Sequence, residues 1–241
     1  MRFDHGSGFV LDILFGMASV DVHVDWGLPG LRAMSGFPVL VVVDVLSFCT
    51  AVDVATGRGA CVLPLRTRHD AIPEGVVLAW ARHRERWSLS PSSLQTLTAG
   101  VRLGLPSPNG ATLCASASGS TVFAGCLRNA DAVAGAAART GGPVGVVAGG
   151  ERRDGELRPA IEDLLGAGAI VSALAGRRSP EAELAAAAFH SAREDIGRLL
   201  AGCESGRELA ETGFAHDVGL AAEVNSSQTA PVLRDGFLEA A

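Results

Sequence analysis

The hydrophobic and polar positions of the chain follow two repeating patterns. Residues 20–25 alternate strictly, which predicts a half-exposed strand, and residues 38–46 form a valine-rich run typical of a strand buried on both faces. Further apolar runs predict strands at residues 60–65, 75–81, 99–105, 120–124 and 143–148, and helical patterns occur at residues 50–57, 111–117 and 129–139. This alternation predicts a layered α/β fold with a mostly parallel or mixed sheet.

The second part of the chain is predicted to be rich in helices. A Gly-rich polar loop at residues 149–158 leads to Ala-, Leu- and Glu-rich patterns that predict helices over residues 159–174, 180–200 and 205–213, and a short final strand is predicted at residues 230–233. No low-complexity linker or internal repeat divides the sequence. We therefore expect a single α/β domain over residues 1–241.

Composition limits the chemistry that the chain can perform. All 20 basic residues are arginine, and the chain contains no lysine and no tyrosine. The absence of lysine excludes Schiff-base chemistry and a Walker A loop. Anion recognition must therefore use arginine, backbone N–H groups or a metal ion. The net charge of −6 argues against nucleic acid as a main partner.

Cysteine usage and hydropathy predict where the protein works. The five cysteines are scattered without a C-x-x-C pair, so neither a disulfide framework nor a zinc site is expected, and reduced thiols in the cytoplasm are predicted. No segment approaches the roughly 18 uninterrupted apolar residues of a membrane span, and Asp12 interrupts the apolar stretch near the start, so no membrane partner or signal peptide is expected. The Ala-rich helical part is compatible with a homodimer.

An acidic residue stands at the end of the first buried strand. Asp44 follows the valine run directly, and a buried carboxylate is costly unless it is paired, hydrogen-bonded or metal-bound. We predict that Asp44 is a metal ligand or a catalytic carboxylate. The alternative is a salt bridge or a helix cap, although Ser47 or Thr50 is better placed to cap the next helix. Cys49 or Ser47 is a further nucleophile candidate, but a buried thiol is more often a packing residue.

Two further polar segments follow predicted strands. The turn at residues 107–112 leads into a helix and would point backbone N–H groups at an anion, although a plain turn would look the same. The loop at residues 149–158 leads to Glu162 and Asp163, which the helix dipole alone would also favour. Adjacent helical residues diverge by about 100°, so only one of these two carboxylates is expected to point inward. The basic run at residues 82–86 is expected to be solvated surface.

An ordered set of short segments extends along the chain. Its members are Val41–Leu46, Thr50, Gly59–Ala60, Ser90–Pro91, Asn109–Gly110, Leu127, Asn129–Ala130, Ala148–Gly149, Glu151, Glu162–Asp163, Gly168–Val171, Asp217, Pro231–Val232 and Asp235–Gly236. In this order they resemble the 2-phosphosulfolactate phosphatase family over roughly residues 20–238. No single segment is specific, and the ordered set carries the resemblance.

The resemblance implies a magnesium-dependent phosphatase with an α/β/α fold, which hydrolyses 2-phosphosulfolactate to 3-sulfolactate and phosphate. Mg²⁺ prefers oxygen ligands and keeps several waters. The carboxylates expected to hold the metal or its waters are Asp44, Glu151 and Asp163. The residues expected to surround the phosphate are Ser107, Asn109, Gly110, Thr112 and, nearby, Asn129.

The sequence departs from the family pattern at several positions. The family usually has arginine after Asp-Val-Leu, whereas this chain has Ser47, and Asn225 stands where a late aspartate is usual. The loop at residues 149–158 supplies three arginines, of which Arg158 is favoured to bind the second anionic group of the substrate. The alternatives are a non-catalytic protein that binds small anions and a phosphatase for a non-sulfonated phospho-carboxylic acid.

Overall fold

The structure, a computed structural model, describes residues 21–80, 82, 86–153 and 155–241. The strands within these residues are β1 (Val22–Trp26), β2 (Val39–Val43), β3 (Cys61–Leu65), β4 (Val77–Leu78), β5 (Arg102–Pro106), β6 (Thr121–Gly125), β7 (Val144–Ala148), β8 (Glu151–Arg153), β9 (Glu156–Arg158), β10 (Pro231–Arg234) and β11 (Phe237–Ala240). The helices are α1 (Gly27–Ala33), α2 (Phe48–Gly57), α3 (Pro91–Leu94), α4 (Gly110–Ser116), α5 (Ala130–Thr140), α6 (Ile161–Ala173), α7 (Pro180–Ala192), α8 (Ile196–Gly202), α9 (Glu204–Glu211) and α10 (Ala215–Ala221), with a 3₁₀ turn at Arg193–Asp195.

Nine of these strands form one mixed sheet in the order β1-β7-β2-β6-β10-β11-β3-β5-β4. β1, β7, β2 and β6 are parallel to one another, and so are β3, β5 and β4. The antiparallel hairpin β10–β11 joins these two groups, so the second group runs opposite to the first. The last two strands of the chain, β10 and β11, therefore lie in the middle of the sheet.

Helices cover both faces of the sheet, as the buried valine run of β2 requires. A side chain at Gly145 would meet both Leu40 and Met34, which directly follows α1. Leu40 and the end of α1 therefore share one face of the sheet. On the opposite face, a side chain at Gly125 would meet Val41 and Ile170 of α6. Because neighbouring residues of a strand point to opposite faces, these contacts confirm the predicted three-layer α/β/α fold.

The sheet curves around α2. Four strands separate β2 from β5 in the sheet, yet the residues that follow these two strands are in hydrogen-bond contact. Helix α2 packs against β3, β6, β10 and β11, which lie between or beside them. The ends of β2 and β5 therefore meet across a curved sheet rather than along one straight edge.

Several predicted elements differ from the structure. Residues 149–158, predicted to form a loop, contain the antiparallel hairpin β8–β9, whose mostly exposed residues leave no apolar periodicity. The helix predicted over residues 180–200 is interrupted at Arg193–Asp195, and the strand predicted at residues 75–81 shortens to β4. The apolar stretch before residue 21 lies outside the described residues. None of the helices in the described part of the chain has the length and apolar character needed to cross a membrane.

Candidate active site

Asp44 is held by the segment that follows β5. Its carboxylate is 5% exposed, and Oδ2 accepts a hydrogen bond of 2.6 Å from the backbone N–H of Gly110 and one of 3.3 Å from the Ser107 hydroxyl. The buried strand β2 places Asp44 inside the protein, and the start of α4 supplies the donors. The structure therefore brings Asp44, Ser107 and Gly110 together, as the sequence predicted.

The close approach of α4 requires glycine at position 110. A Cβ atom there would lie 2.7 Å from Asp44 Oδ2 and 2.5 Å from Cδ1 of Phe48, which is closer than such atoms normally pack. The remaining predicted turn residues support the same turn, since the Asn109 N–H donates to Ser107 Oγ and the Thr112 hydroxyl to the Ser107 carbonyl. Ser107 and Gly110, predicted to bind phosphate, thus donate to Asp44.

Asp163 connects the ends of β2 and β7. Its Oδ1 accepts a hydrogen bond of 2.7 Å from the Val45 N–H, and its Oδ2 accepts one of 2.8 Å from the Gly150 N–H. Glu162 is equally buried, at 3% exposed, so the expectation that only one of the two carboxylates points inward is wrong. The reason is that Ser205 of α9 covers Glu162 while Asp163 faces the strand ends.

Ser205 joins Glu162 to the hairpin β8–β9. Its hydroxyl contacts the carboxylates of both Glu151 and Glu162. A hydroxyl carries one hydrogen and can donate to only one carboxylate at a time. Glu151 therefore lies beside Glu162, a carboxylate that the sequence analysis did not select.

Three buried carboxylates repel one another at this site. Burial raises the pKa of Asp44, and hydrogen bonds from Gly110, Phe48 and Ser107 lower it by less. Burial, followed by the charges of Asp44 and Glu162, raises the pKa of Asp163 well above its usual range. Protons or a cation would relieve this repulsion. The donor set is thus suited to a hard cation.

The predicted metal ligands do not form a ready-made cage. Within the described ranges, no three His, Cys, Asp and Glu side chains are grouped closely enough to hold a metal ion. Mg²⁺ is commonly held by one or two carboxylates and several waters. Carboxylates that lie close enough to repel one another, such as Asp44 and Asp163, fit that manner of binding.

Arg82 brings a positive charge to the end of β2. Its Nη2 donates a 2.5 Å hydrogen bond to Ser47 Oγ and a 3.4 Å bond to the Leu89 carbonyl, while its buried Nε has no hydrogen-bond partner in the described part of the chain. Burial lowers the pKa of Arg82, and the Asp217 and Asp44 carboxylates raise it by less. The expectation that the basic run is solvated surface is therefore wrong for Arg82.

Cavities lie on both sides of the turn that holds Asp44. One of about 600 Å³ is lined by Arg82, Ser92 and His216, and a second of about 340 Å³ shares Arg82 with it and reaches Ser107. A third, of about 330 Å³, lies on the opposite side and is lined by Asn109, Thr112 and two arginines, Arg32 and Arg152. Residues of the turn that holds Asp44 therefore line cavities that also contain arginine side chains.

Comparison with known proteins places the chain in a family. The family model described as 2-phosphosulpholactate phosphatase matches residues 86–236, which is more than half of the chain. The chain belongs to the 2-phosphosulpholactate phosphatase family. A 2-phosphosulfolactate phosphatase of Methanothermobacter thermautotrophicus is 30% identical over 211 residues, covering 85% of this chain and 90% of that protein. A probable 2-phosphosulfolactate phosphatase of Pseudothermotoga lettingae is 29% identical over 213 residues, covering 84% and 93%.

Arg82 contacts Ser47, the residue that stands where the family resemblance predicts arginine. Ser47 stands at the N-cap position of α2 but makes no capping hydrogen bond, and its hydroxyl instead receives Arg82. The sequence analysis favoured Arg158 as the replacement. Arg158 is exposed on the hairpin and pairs with Glu204, as does Arg153 at 2.7 Å.

Asn129 is placed differently from the other predicted binding residues of this family member. Its Oδ1 accepts a 2.8 Å hydrogen bond from the Cys126 N–H, and its Nδ2 donates to the Ala124 carbonyl at 3.3 Å. The side chain is fully buried, so both amide atoms are engaged within the turn after β6. These contacts position α5.

Cys49, a nucleophile candidate in the sequence, is buried, and burial raises its pKa well above normal, which agrees with a packing role.

The sequence contained only weak signals for the candidate site residues that were missed. Asp217 stands out in the sequence only through its match to the family, yet it is fully buried and accepts a hydrogen bond of 3.2 Å from the Ser92 N–H. Ser47 stands where the family resemblance predicts arginine. It was the one sequence feature that suggested a different arginine at this site.

Proposed function

We propose that the protein is a Mg²⁺-dependent phosphatase that hydrolyses 2-phosphosulfolactate to 3-sulfolactate and inorganic phosphate. The observation that carries the proposal is the buried Asp44 carboxylate, which donors from the β5–α4 turn fix beside the carboxylates of Asp163 and Glu162. Family membership, through relatives named for this activity, supports the choice of substrate.

The carboxylates of Asp44, Asp163 and Glu151, with Glu162 beside Glu151, would hold Mg²⁺ directly or through its waters. When bound, the cation neutralises charge on the phosphoryl oxygens and lowers the pKa of a water. Mutual repulsion of these buried carboxylates, which Mg²⁺ would relieve, supports its placement here.

Asp44 is the carboxylate on which the reaction would depend. Gly110 and Ser107 fix Oδ2, and Ser107 also lines the cavity of about 340 Å³ that reaches Arg82. In the overall reaction water adds to phosphorus, the bond between phosphorus and the C2 oxygen breaks, and that oxygen takes up a proton. An ionised Asp44 would either hold the metal or attack phosphorus, and both roles need its negative charge.

The reaction is proposed to take place in the cytoplasm. All five cysteines of the chain are free thiols, and four of them are buried. Free thiols persist in a reducing compartment.

Release of inorganic phosphate tests the proposal. The wild-type protein would be assayed with 2-phosphosulfolactate and with 2-phospholactate, its analogue lacking the sulfonate, each with Mg²⁺ and with a chelator. We expect Mg²⁺-dependent release that is fastest with 2-phosphosulfolactate. Faster release from 2-phospholactate would favour a non-sulfonated substrate. Binding of 2-phosphosulfolactate without any release would favour the non-catalytic alternative.

A further inference from the structure

The guanidinium of Arg82 has unused hydrogen-bonding capacity. An arginine carries five N–H donors, and both hydrogen bonds that Arg82 makes with described residues come from Nη2. Its buried Nε has no hydrogen-bond partner among those residues, which is costly for a polar atom. Arg82 forms no ion pair with any carboxylate in the described parts of the chain. The residue is fixed in place but retains donors for a ligand.

Arg82 also lies where two cavities meet. The smaller cavity connects it with Ser107, whose hydroxyl donates to Asp44. The larger, of about 600 Å³, extends from Arg82 past Ser90 and Ser92 to His216. A small ligand with one anionic group beside Asp44 could therefore place a second anionic group against Arg82.

We propose that Arg82 binds the second anionic group of the substrate, a sulfonate or carboxylate, and thereby selects phosphoesters of acids over simple phosphoesters. This inference rests on the proposed function, because it assumes that the phosphoryl group lies beside Asp44. A guanidinium matches the planar geometry of a carboxylate and the oxygens of a sulfonate through paired N–H donors. Ser47 positions this group by accepting from Nη2.

Arg153 and Arg158 of the hairpin β8–β9 are less suitable for this role. Arg153 and Arg158 both pair with Glu204, and their side chains are 65% and 48% exposed. A ligand would have to replace these ion pairs in a solvated setting where charge interactions are weak. Arg82 has no such pair to break among the described carboxylates and is partly buried.

The test compares Arg82→Gln with Arg158→Gln and with the control Arg198→Gln, whose exposed side chain on α8 pairs with Asp195. The dissociation constant of 3-sulfolactate would be measured by calorimetry, and KM would be measured for 2-phosphosulfolactate and for isopropyl phosphate, which lacks both acid groups. For Arg82→Gln we expect the dissociation constant of 3-sulfolactate and the KM for 2-phosphosulfolactate each to rise about tenfold or more, because a charge-assisted hydrogen bond is lost. The KM for isopropyl phosphate should change little. The other two variants should resemble wild type.

Three results would overturn the role of Arg82: an unchanged 3-sulfolactate constant in Arg82→Gln, an equal rise in KM for isopropyl phosphate, or the selective loss appearing in Arg158→Gln. Absence of any 3-sulfolactate binding by the wild type would also overturn it. Should Arg82→Gln not fold, Arg82→Lys takes its place in the test. We expect its dissociation constant for 3-sulfolactate to rise several-fold, and an unchanged constant would contradict the role of Arg82. Binding that depends on Arg82 without phosphate release would instead contradict the proposed function and leave this assignment standing.

Discussion

The backbone N–H of Gly110 donates a 2.6 Å hydrogen bond to the Asp44 carboxylate, although β2 and β5 are separated by four strands in the sheet. The contact exists because the sheet curves around α2 and because residue 110 lacks a side chain. The position of the Asp44 carboxylate thus depends on a glycine 66 residues away in the chain.

Replacing Gly110 with alanine should displace Asp44. The added Cβ would lie within 2.8 Å of three atoms of Asp44 and Phe48. We expect the free energy of unfolding to fall by about 1–3 kcal/mol, as for an overpacked core, and the rate of phosphate release to fall with it. Urea unfolding and a phosphate assay measure the two effects.

Gly197→Ala is the matched control for that variant. Gly197 lies in α8 with open space around its Cβ position, so alanine should leave stability unchanged or raise it by about 0.5–1 kcal/mol. Equal stability and equal activity of the wild type and Gly110→Ala would contradict the tight contact between α4 and Asp44.

The buried carboxylates should make stability depend on pH. The raised pKa of Asp163 means that the folded protein keeps a proton at pH values where the unfolded chain, in which this carboxyl has its ordinary pKa of 3.8, has lost it. Stability is therefore highest below the unfolded pKa and falls as pH rises towards the raised folded pKa. Mg²⁺ binds the ionised form, so its stabilising effect should grow over the same interval.

Urea unfolding from about pH 4 to about pH 8, with a chelator and with Mg²⁺, would measure this dependence. Asp163→Asn should flatten the pH dependence, at the cost of one of the two hydrogen bonds from Val45 and Gly150, because an amide has only one acceptor oxygen. A chelated wild-type protein whose stability rises steadily with pH would argue against buried, proton-sharing carboxylates.

The sequence predicted the layers and the strand ends better than the contacts between distant segments. Periodicity located β2 and β7 because their residues are apolar along their whole length. The hairpin β8–β9 has no such pattern, since its residues are mostly exposed. The turn Asp235–Gly236, with both residues at positive φ, did carry a hairpin signal that identifies β11.

The candidate site was predictable where chemistry follows a buried strand. Asp44, Ser107 and Gly110 were found in this way, and the structure brings them into contact. Arg82 was not found, because it stands in a charged run that resembles ordinary surface and reaches Ser47 only through tertiary folding. Its place depends on the packing of a loop, which local sequence does not encode.

A buried ion pair anchors the segment that leads into the central hairpin. Asp53 of α2 accepts a 2.9 Å hydrogen bond from Arg128 Nε and a 2.6 Å bond from the Ser227 hydroxyl. Asp53→Ala would remove the buried carboxylate that pairs with the largely buried guanidinium of Arg128. We therefore expect the free energy of unfolding to fall by roughly 3–5 kcal/mol. The KM of the protein that remains folded should be unchanged, since these residues lie away from Asp44.

Denaturant unfolding of Asp53→Ala and of Asp53→Asn would measure this effect. The amide retains one acceptor and should recover part of the loss. Arg234→Ala, which removes an exposed pair with Glu239, is the control and should cost no more than about 1 kcal/mol. Similar losses in the buried and the exposed pair would contradict the anchoring role of Asp53.

The central claim is that Asp44 is the carboxylate on which phosphate release depends. Asn at this position can still accept the hydrogen bonds from Gly110 and Ser107 but cannot ionise, so the fold should persist while its negative charge is lost. The most direct measurement is the rate of phosphate release from 2-phosphosulfolactate by wild type and Asp44→Asn in saturating Mg²⁺, with equal unfolding curves as the control. We expect the variant to be slower by roughly 10²-fold or more. Full activity and unchanged Mg²⁺ affinity in Asp44→Asn would contradict the account.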